Sequence, residues 1–218
     1  MAEFSMFFDP VQDESGQYDR EYNAAEFTKY FAVLITTGVI RKFLNELKVT
    51  ANGSNMVTTV DTGVAFINAR YYENTELLEL THDTESLGLN RIDRVVLRLN
   101  LNTEARNIKA FIKKGTPSTN PQPPALTRNL DIYEISLAQV KIIGGQTYIN
   151  AADIIDEREN TDVCGWAKSK ILPDVSTALQ EHLDAALPHV FTDGGKKYNY
   201  GWKVENGILK FKYEEADD

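Results

Sequence analysis

The stretch NRIDRVVLRLNLNTEARNIKAFIKKG, residues 90–115, changes sides at almost every residue. Val95, Leu97, Leu99 and Leu101 alternate with Arg94, Val96, Arg98 and Asn100. After a short polar turn, Ile108, Ala110 and Ile112 alternate with Lys109, Phe111 and Lys113. A period of two belongs to strands, because successive side chains leave opposite faces of a sheet. The two runs read as an antiparallel hairpin with one apolar face and one largely wet face.

The same period holds on both sides. LKVTANGSNMVTTVDTGVAFINARYYENTELLEL (47–80) breaks into short segments rich in Val, Thr, Ile, Phe and Tyr. Asn-Gly, Asp-Thr-Gly and Glu-Asn-Thr separate them, and these are turn chemistries. DIYEISLAQVKIIGG (131–145) returns to alternation, with Ile135, Leu137 and Val140 as buried positions, although a helical start stays open. Residues 115–130 hold four of the seven prolines and no periodicity. They read either as a polyproline-like arm lying on a neighbouring subunit or as a long surface crossover.

Two segments carry a helical period. In YNAAEFTKYFAVLITTG (22–38), Asn23 and Glu26 have capping-box spacing, and Phe27, Tyr30, Phe31, Leu34 and Ile35 form one stripe. Gly38 stands where a C-terminal cap would end the helix. The stripe has to be covered, by the following sheet or by another subunit. In LPDVSTALQEHLDAALPHV (172–190), Val175, Leu179, Leu183 and Leu187 recur at steps of four between Pro173 and Pro188. This predicts a helix over 174–187 that gathers copies of the chain along an inter-subunit axis. KKYNYGWKVENGILKFKYEE (196–215) is then two alternating runs joined by Asn206-Gly207, a strong hairpin signal. Its Tyr198, Tyr200, Trp202 and Val204 need a covering surface, since lone hairpins are marginal in water.

The expected fold class is therefore mainly β (α+β): an antiparallel β-sandwich or barrel-like module with an N-terminal helix, then a short helix and a C-terminal β-hairpin. The expected divisions are a β module over 1–150, a connector over 151–172, and an oligomerisation, adaptor or tip region over 173–218.

Composition narrows the function. The net charge of −9 argues against nucleic acid, which is bound through clustered Lys and Arg. Lys113-Lys114 and Lys196-Lys197 read as solvated strand ends. No apolar run approaches the ~18 residues of a membrane span, and the start MAEFSMFFDP lacks a basic n-region, so no Sec-type export is expected. The lone Cys164 excludes an intramolecular disulfide.

In ADIIDERENTDVCGW (152–166), five acids stand ahead of Cys164. As an EF-hand beginning at Asp153 it would place Arg158 where glycine is needed and Cys164 where glutamate is needed. As a thiol nucleophile, Cys164 would need a base from His82, His182 or His189, and a small buried hydrophobe is the commoner fate. There is no zinc spacing, Walker loop, dinucleotide fingerprint or Gly-x-Ser-x-Gly. A shared ion on a symmetry axis and a glycosidase-type carboxylate pair stay open. No catalytic residue, metal ligand or cofactor is assigned, and the acidic stretch reads as a structural junction.

The segments YNAAEFTKYFAVLITTGVI, TGVAFINARYYENT, LNRIDRVVLRLNL, IKAFIKKGTPSTNPQPPALTRNLDIYEISLAQV and IIDERENTDVCGW, spread in order over residues 5–166, carry a resemblance. They resemble the N-terminal virion-attachment region of baseplate and tail-fibre (receptor-binding) proteins of tailed bacteriophages and phage-tail-like particles of Gram-positive bacteria. The resemblance implies a non-enzymatic virion structural protein of the tail tip or baseplate. Such a protein would be a homotrimer that docks to other tail or baseplate proteins and serves as an adaptor or short fibre for host recognition. The short remainder after residue 166 implies that a large receptor-binding head belongs to another protein. The alternative is a carbohydrate-binding head in which Tyr198, Tyr200 and Trp202 stack on host cell-wall polysaccharide; a wall hydrolase ranks third.

Overall fold

The computed structural model describes residue 3 and residues 5–171, 175–185 and 187–216, without the side chains of 175–178 and 180. The chain divides into two compact units, Met1–Lys170 and Ile171–Asp218. The junction thus falls at the far end of the predicted connector. Residues 151–170 belong to the first unit because they hydrogen-bond into its sheets.

The first unit opens with α1 (Ala24–Ala32), held at its start by the reciprocal cap. Asn23 Oδ1 accepts from the N–H groups of Ala25 and Glu26, and Glu26 Oε2 accepts from the Asn23 N–H at 2.8 Å. The helix stops at Val33, well before Gly38. The β-branched run Val33, Ile35, Thr36, Thr37 disfavours continuation, and the backbone instead bonds to the 165–170 segment, with Thr36 N–H donating to Lys168 O. Gly38 opens β1 (Gly38–Val39) at φ 152°, where a Cβ would lie 2.5 Å from Gly165 O. Its glycine serves a close backbone crossing rather than a helix cap.

The strands that follow are β2 (Val49–Ala51), β3 (Val57–Val60), β4 (Gly63–Ile67), β5 (Arg70–Asn74), β6 (Leu78–Thr81), β7 (Arg91–Asn100), β8 (Asn107–Lys113), β9 (Ile132–Ile142) and β10 (Ile154–Asp156). They form three open antiparallel sheets of order β1-β4-β5, β2-β3-β6 and β10-β9-β7-β8. The unit is mainly β, and no sheet closes into a barrel. One apolar cluster joins all three sheets through Val39, Val60, Ile67, Leu97, Ile135 and Val140.

β7 and β8 pair in the register the alternation implies, Val95 opposite Ile112, Leu97 opposite Ala110 and Leu99 opposite Ile108. β9 lies on the other side of β7, with a bulge where Val95 faces Ala138 and Val96 faces Ser136. The extra residue, Leu137, explains why Leu137 and Val140 are both buried although they are three apart. The second face of β7 is a correction to the sequence reading. Val96 is fully buried and Arg94 nearly so, because β7 is a central strand and chain covers that face as well.

Part of that cover is the proline-rich stretch. Ser118 bridges Asn90, Thr127 N–H and Lys113 Nζ both donate to Glu134 Oε2, and Arg128 donates to the carbonyls of Asp162 and Val163. The stretch is a crossover laid on its own unit.

In the second unit, α2 (Val175–Asp184) is followed by β11 (His189–Asp193), β12 (Lys196–Glu205) and β13 (Ile208–Glu215), one antiparallel sheet of order β11-β12-β13. Among the described residues no helix is long and apolar enough to cross a membrane.

Candidate interaction surfaces

The terminal sheet turns twice through two-residue connections whose residues all have positive φ, Gly194 and Gly195 at 58° and 84°, Asn206 and Gly207 at 55° and 74°. Such turns match the right-handed twist of the strands and fix the register. Tyr200 therefore faces Tyr213 and His189, Trp202 faces Phe211, Val204 faces Leu209, and Tyr198 faces Phe191. All of these side chains share one face of the sheet, since the period is two.

On that face the rings form a continuous ladder. Phe191 stacks on Tyr198 at 5.1 Å, Tyr200 meets Phe211 at 5.6 Å, and Trp202 meets Phe211 edge-on at 5.4 Å. His182 of α2 reaches this face at His189, and Tyr198 and Tyr200 are half-buried, but the Trp202 end of the ladder lies open among the described residues. Trp202 is 65% exposed, Tyr213 63% and Leu209 62%. The opposite face carries Lys197, Lys203, Glu205, Lys210, Lys212 and Glu214. There Glu205 accepts from Lys212 and Lys210, which hold its carboxyl below the usual range. That face is mostly charged, with Val190 and Ile208 exposed among the lysines and glutamates, while the ladder face is mostly apolar, with the Lys196–Glu215 pair at one end.

Of the four positions at steps of four, Val175, Leu179 and Leu183 lie within α2 and Leu187 does not. α2 ends at Asp184, so Leu187 lies beyond it, because the residue before Pro188 is disfavoured in the helical region. Leu179 and Leu183 lie one turn apart and are exposed, while Leu187 is half-buried. The Val175 side chain lies outside the described residues, as do Pro173 and Ala186. α2 meets the sheet at His182, whose ring stands edge-on to His189 at 5.1 Å.

A second exposed aromatic group belongs to the first unit. Phe7 packs against Tyr22, Phe27 and Tyr30, and no residue of α1 is buried. The stripe read from the sequence exists as a contact surface but is not sealed by the sheet.

Inside the first unit lies the most catalysis-like geometry. Thr58 Oγ1 is 3.0 Å from His82 Nε2, and His82 Nδ1 is 2.9 Å from Asp93 Oδ2. The order hydroxyl, imidazole, carboxylate suggests a nucleophile. All three side chains are sealed from solvent, so no substrate reaches the hydroxyl. The group is a buried lock. Arg91 Nε donates to Asp93 Oδ1 at 2.7 Å, Arg91 Nη1 pairs with Glu85 at 2.6 Å, and Gly115 N–H donates to Asp93. Burial pushes the Asp93 carboxyl up, and the His82, Arg91 and Gly115 donors outweigh it, leaving a net downward shift.

Two further locks brace the second face of β7. Glu134, buried, accepts from Lys113, Thr127 N–H and Arg98, and these donors overcome burial to lower its pKa. Glu157 accepts from Ser136, Gln139 and Arg94. The acidic stretch 152–166 belongs here. Asp156 is held below the usual range by Arg158 against the opposing effect of burial, and Arg158 Nη1 donates to Glu46 O. Cys164 is in the core, where burial pushes its thiol up to about 12, which removes the thiolate a nucleophile requires. Among the described residues no three His, Cys, Asp or Glu side chains gather to hold a metal ion. The sequence signal for the locks, charged residues inside strand-like runs, reads equally well as a wet face.

No family model matches the chain, and neither does any curated protein or any solved structure.

Proposed function

We propose that the protein is a non-enzymatic virion structural protein of a phage tail tip or baseplate, assembling with copies of itself, as a trimer, through its second unit. The observation that carries the self-assembly is the largely open aromatic ladder of β11–β13. Leaving rings such as Trp202 and Phe211 in water forfeits about 1.5–3 kcal/mol for each large apolar side chain that could be buried. The resemblance of residues 5–166 to virion-attachment regions supplies the setting. In that setting the first unit docks to other tail or baseplate proteins, and the second acts as an adaptor or short fibre. Ion-pair locks inside strands suit a module that holds its shape under load.

Immunogold labelling of phage or phage-tail-like particles released by the producing cell tests the setting. Label at the tail tip is expected, and label absent from intact particles would sink the virion reading.

One observation favours a second reading, the exposed face of Trp202 beside Tyr200. A carbohydrate-binding head would stack wall sugars there, with Tyr198 alongside. The ladder continues into Val204 and Leu209, which offer a sugar no hydrogen bonds, and this favours assembly. Titration with purified wall polysaccharide while following tryptophan fluorescence separates the two. Saturable quenching by the polysaccharide belongs to the sugar-binding reading.

A further inference from the structure

The first unit contains a groove of about 550 Å3, within the size range of binding sites. Its apolar floor comes from Leu99, Leu101 and Ile108, and Arg70, Tyr71 and Arg106 stand at its sides. The arginines are the unusual feature. Arg20, Arg41, Arg91, Arg94, Arg98 and Arg158 all pair with carboxylates, and Arg128 donates to backbone carbonyls. Among the described residues Arg70 and Arg106 have no such partner, in a chain whose net charge is −9 and where carboxylates outnumber cations. Two guanidiniums left unpaired over an apolar floor are complementary to a ligand that carries both carboxylates and aliphatic groups.

The backbone around the groove narrows the class. Arg70 and Tyr71 belong to β5, the outer strand of its sheet, and Ile108 belongs to β8, the outer strand of another. Outer strands present unpaired N–H and C=O groups on one side, the template to which an extended peptide adds itself. We infer that this groove receives an extended acidic segment of a partner protein, which pairs with a sheet edge, sets its carboxylates on Arg70 and Arg106, and places its aliphatic side chains on Leu99, Leu101 and Ile108. The inference does not depend on the ladder of the second unit or on its self-assembly.

The test is fluorescence anisotropy of a labelled peptide of alternating leucine and glutamate against the full chain. Saturable binding is expected, weakened about fivefold or more when glutamine replaces glutamate. The double variant Arg70→Glu/Arg106→Glu, with an unchanged far-ultraviolet circular dichroism spectrum, should weaken the glutamate peptide and leave the glutamine peptide unaffected. A glutamate peptide with alternate amides N-methylated keeps its charges and loses ladder donors, and it should bind less tightly. Equal affinity for the glutamate and glutamine peptides would overturn the inference, as would no binding up to about millimolar peptide. Displacement of the peptide by inorganic phosphate alone at similar concentration would reassign the arginines to a small anion and overturn it too.

Discussion

The two units solve the burial problem in opposite ways. In the first, three sheets enclose one core, and charged side chains trapped inside strands are each met by a partner: Asp93 by Arg91 and His82, Glu134 by Arg98 and Lys113, Glu157 by Arg94. In the second, a single sheet has an apolar face that is largely open among the described residues, touched by α2 at His182, and of those residues only Gly201 is buried. A sealed interior needs no partner, and an open face does. The difference locates the buried core in the first unit and is the ground for proposing assembly through the second.

The largest expected effect breaks the sealed side. Asp93→Ala leaves Arg91 and His82 buried without their carboxylate and should destabilise the first unit by about 3–5 kcal/mol. The chain offers one tryptophan per unit, Trp166 and Trp202, so single-tryptophan variants report each unit separately in denaturant. The Trp166 transition should move to lower denaturant while the Trp202 transition stays. A shift in both would show that the units unfold together.

Acid should act on the same side. Asp93, Glu134 and Asp156 all have folded pKa values below their ordinary 3.8, 4.5 and 3.8. Ionised carboxylates therefore favour the folded state above the ordinary values, and that contribution disappears as pH falls through the depressed ones. The Trp166 midpoint should hold steady from neutrality down to about 4.5 and then drop. Glu205 is also shifted down, but it sits at the surface of the second unit with about a third of its side chain exposed, where solvent screens its lysine partners, and the Trp202 signal should change far less. A Trp166 midpoint that is flat to low pH would remove the locks from the account.

On the open side, Leu179→Asp with Leu183→Asp should shift the self-association midpoint to higher concentration without altering the first unit, as analytical ultracentrifugation would show. An unchanged midpoint would confine assembly to the sheet face. The smallest effect belongs to Cys164. Its thiol should resist a chromogenic disulfide reagent in the native chain and react completely in denaturant, because burial keeps it protonated.

Local signals were legible in the sequence. The alternation at 90–115 specifies β7, β8 and their register. Asn206-Gly207 specifies one turn of the terminal sheet, and Gly194-Gly195 with the alternation of His189–Asp193 would have specified the other. Non-local facts were not. That β9 lies beside β7, and that the 115–130 crossover and Glu157 lie over the second face, is what turns Arg94 and Val96 from a wet face into a buried one. His82 and Asp93 are eleven residues apart, and nothing in their spacing announces the lock. Steps of four through Val175, Leu179, Leu183 and Leu187 describe a helix only until Pro188 constrains the residue before it. Arg70 and Arg106 carry no signal at all, since an arginine without a partner is recognised only when every other partner has been found.

The most direct measurement is light scattering coupled to size exclusion over a range of concentrations, on the full chain and on the variant Trp202→Glu/Phe211→Glu. A trimer is expected for the full chain and a folded monomer for the variant, whose Trp166 unfolding transition is unchanged. A full chain that stays monomeric at every concentration, or a variant that keeps the trimer mass, would contradict the claim that the aromatic ladder is the assembly surface.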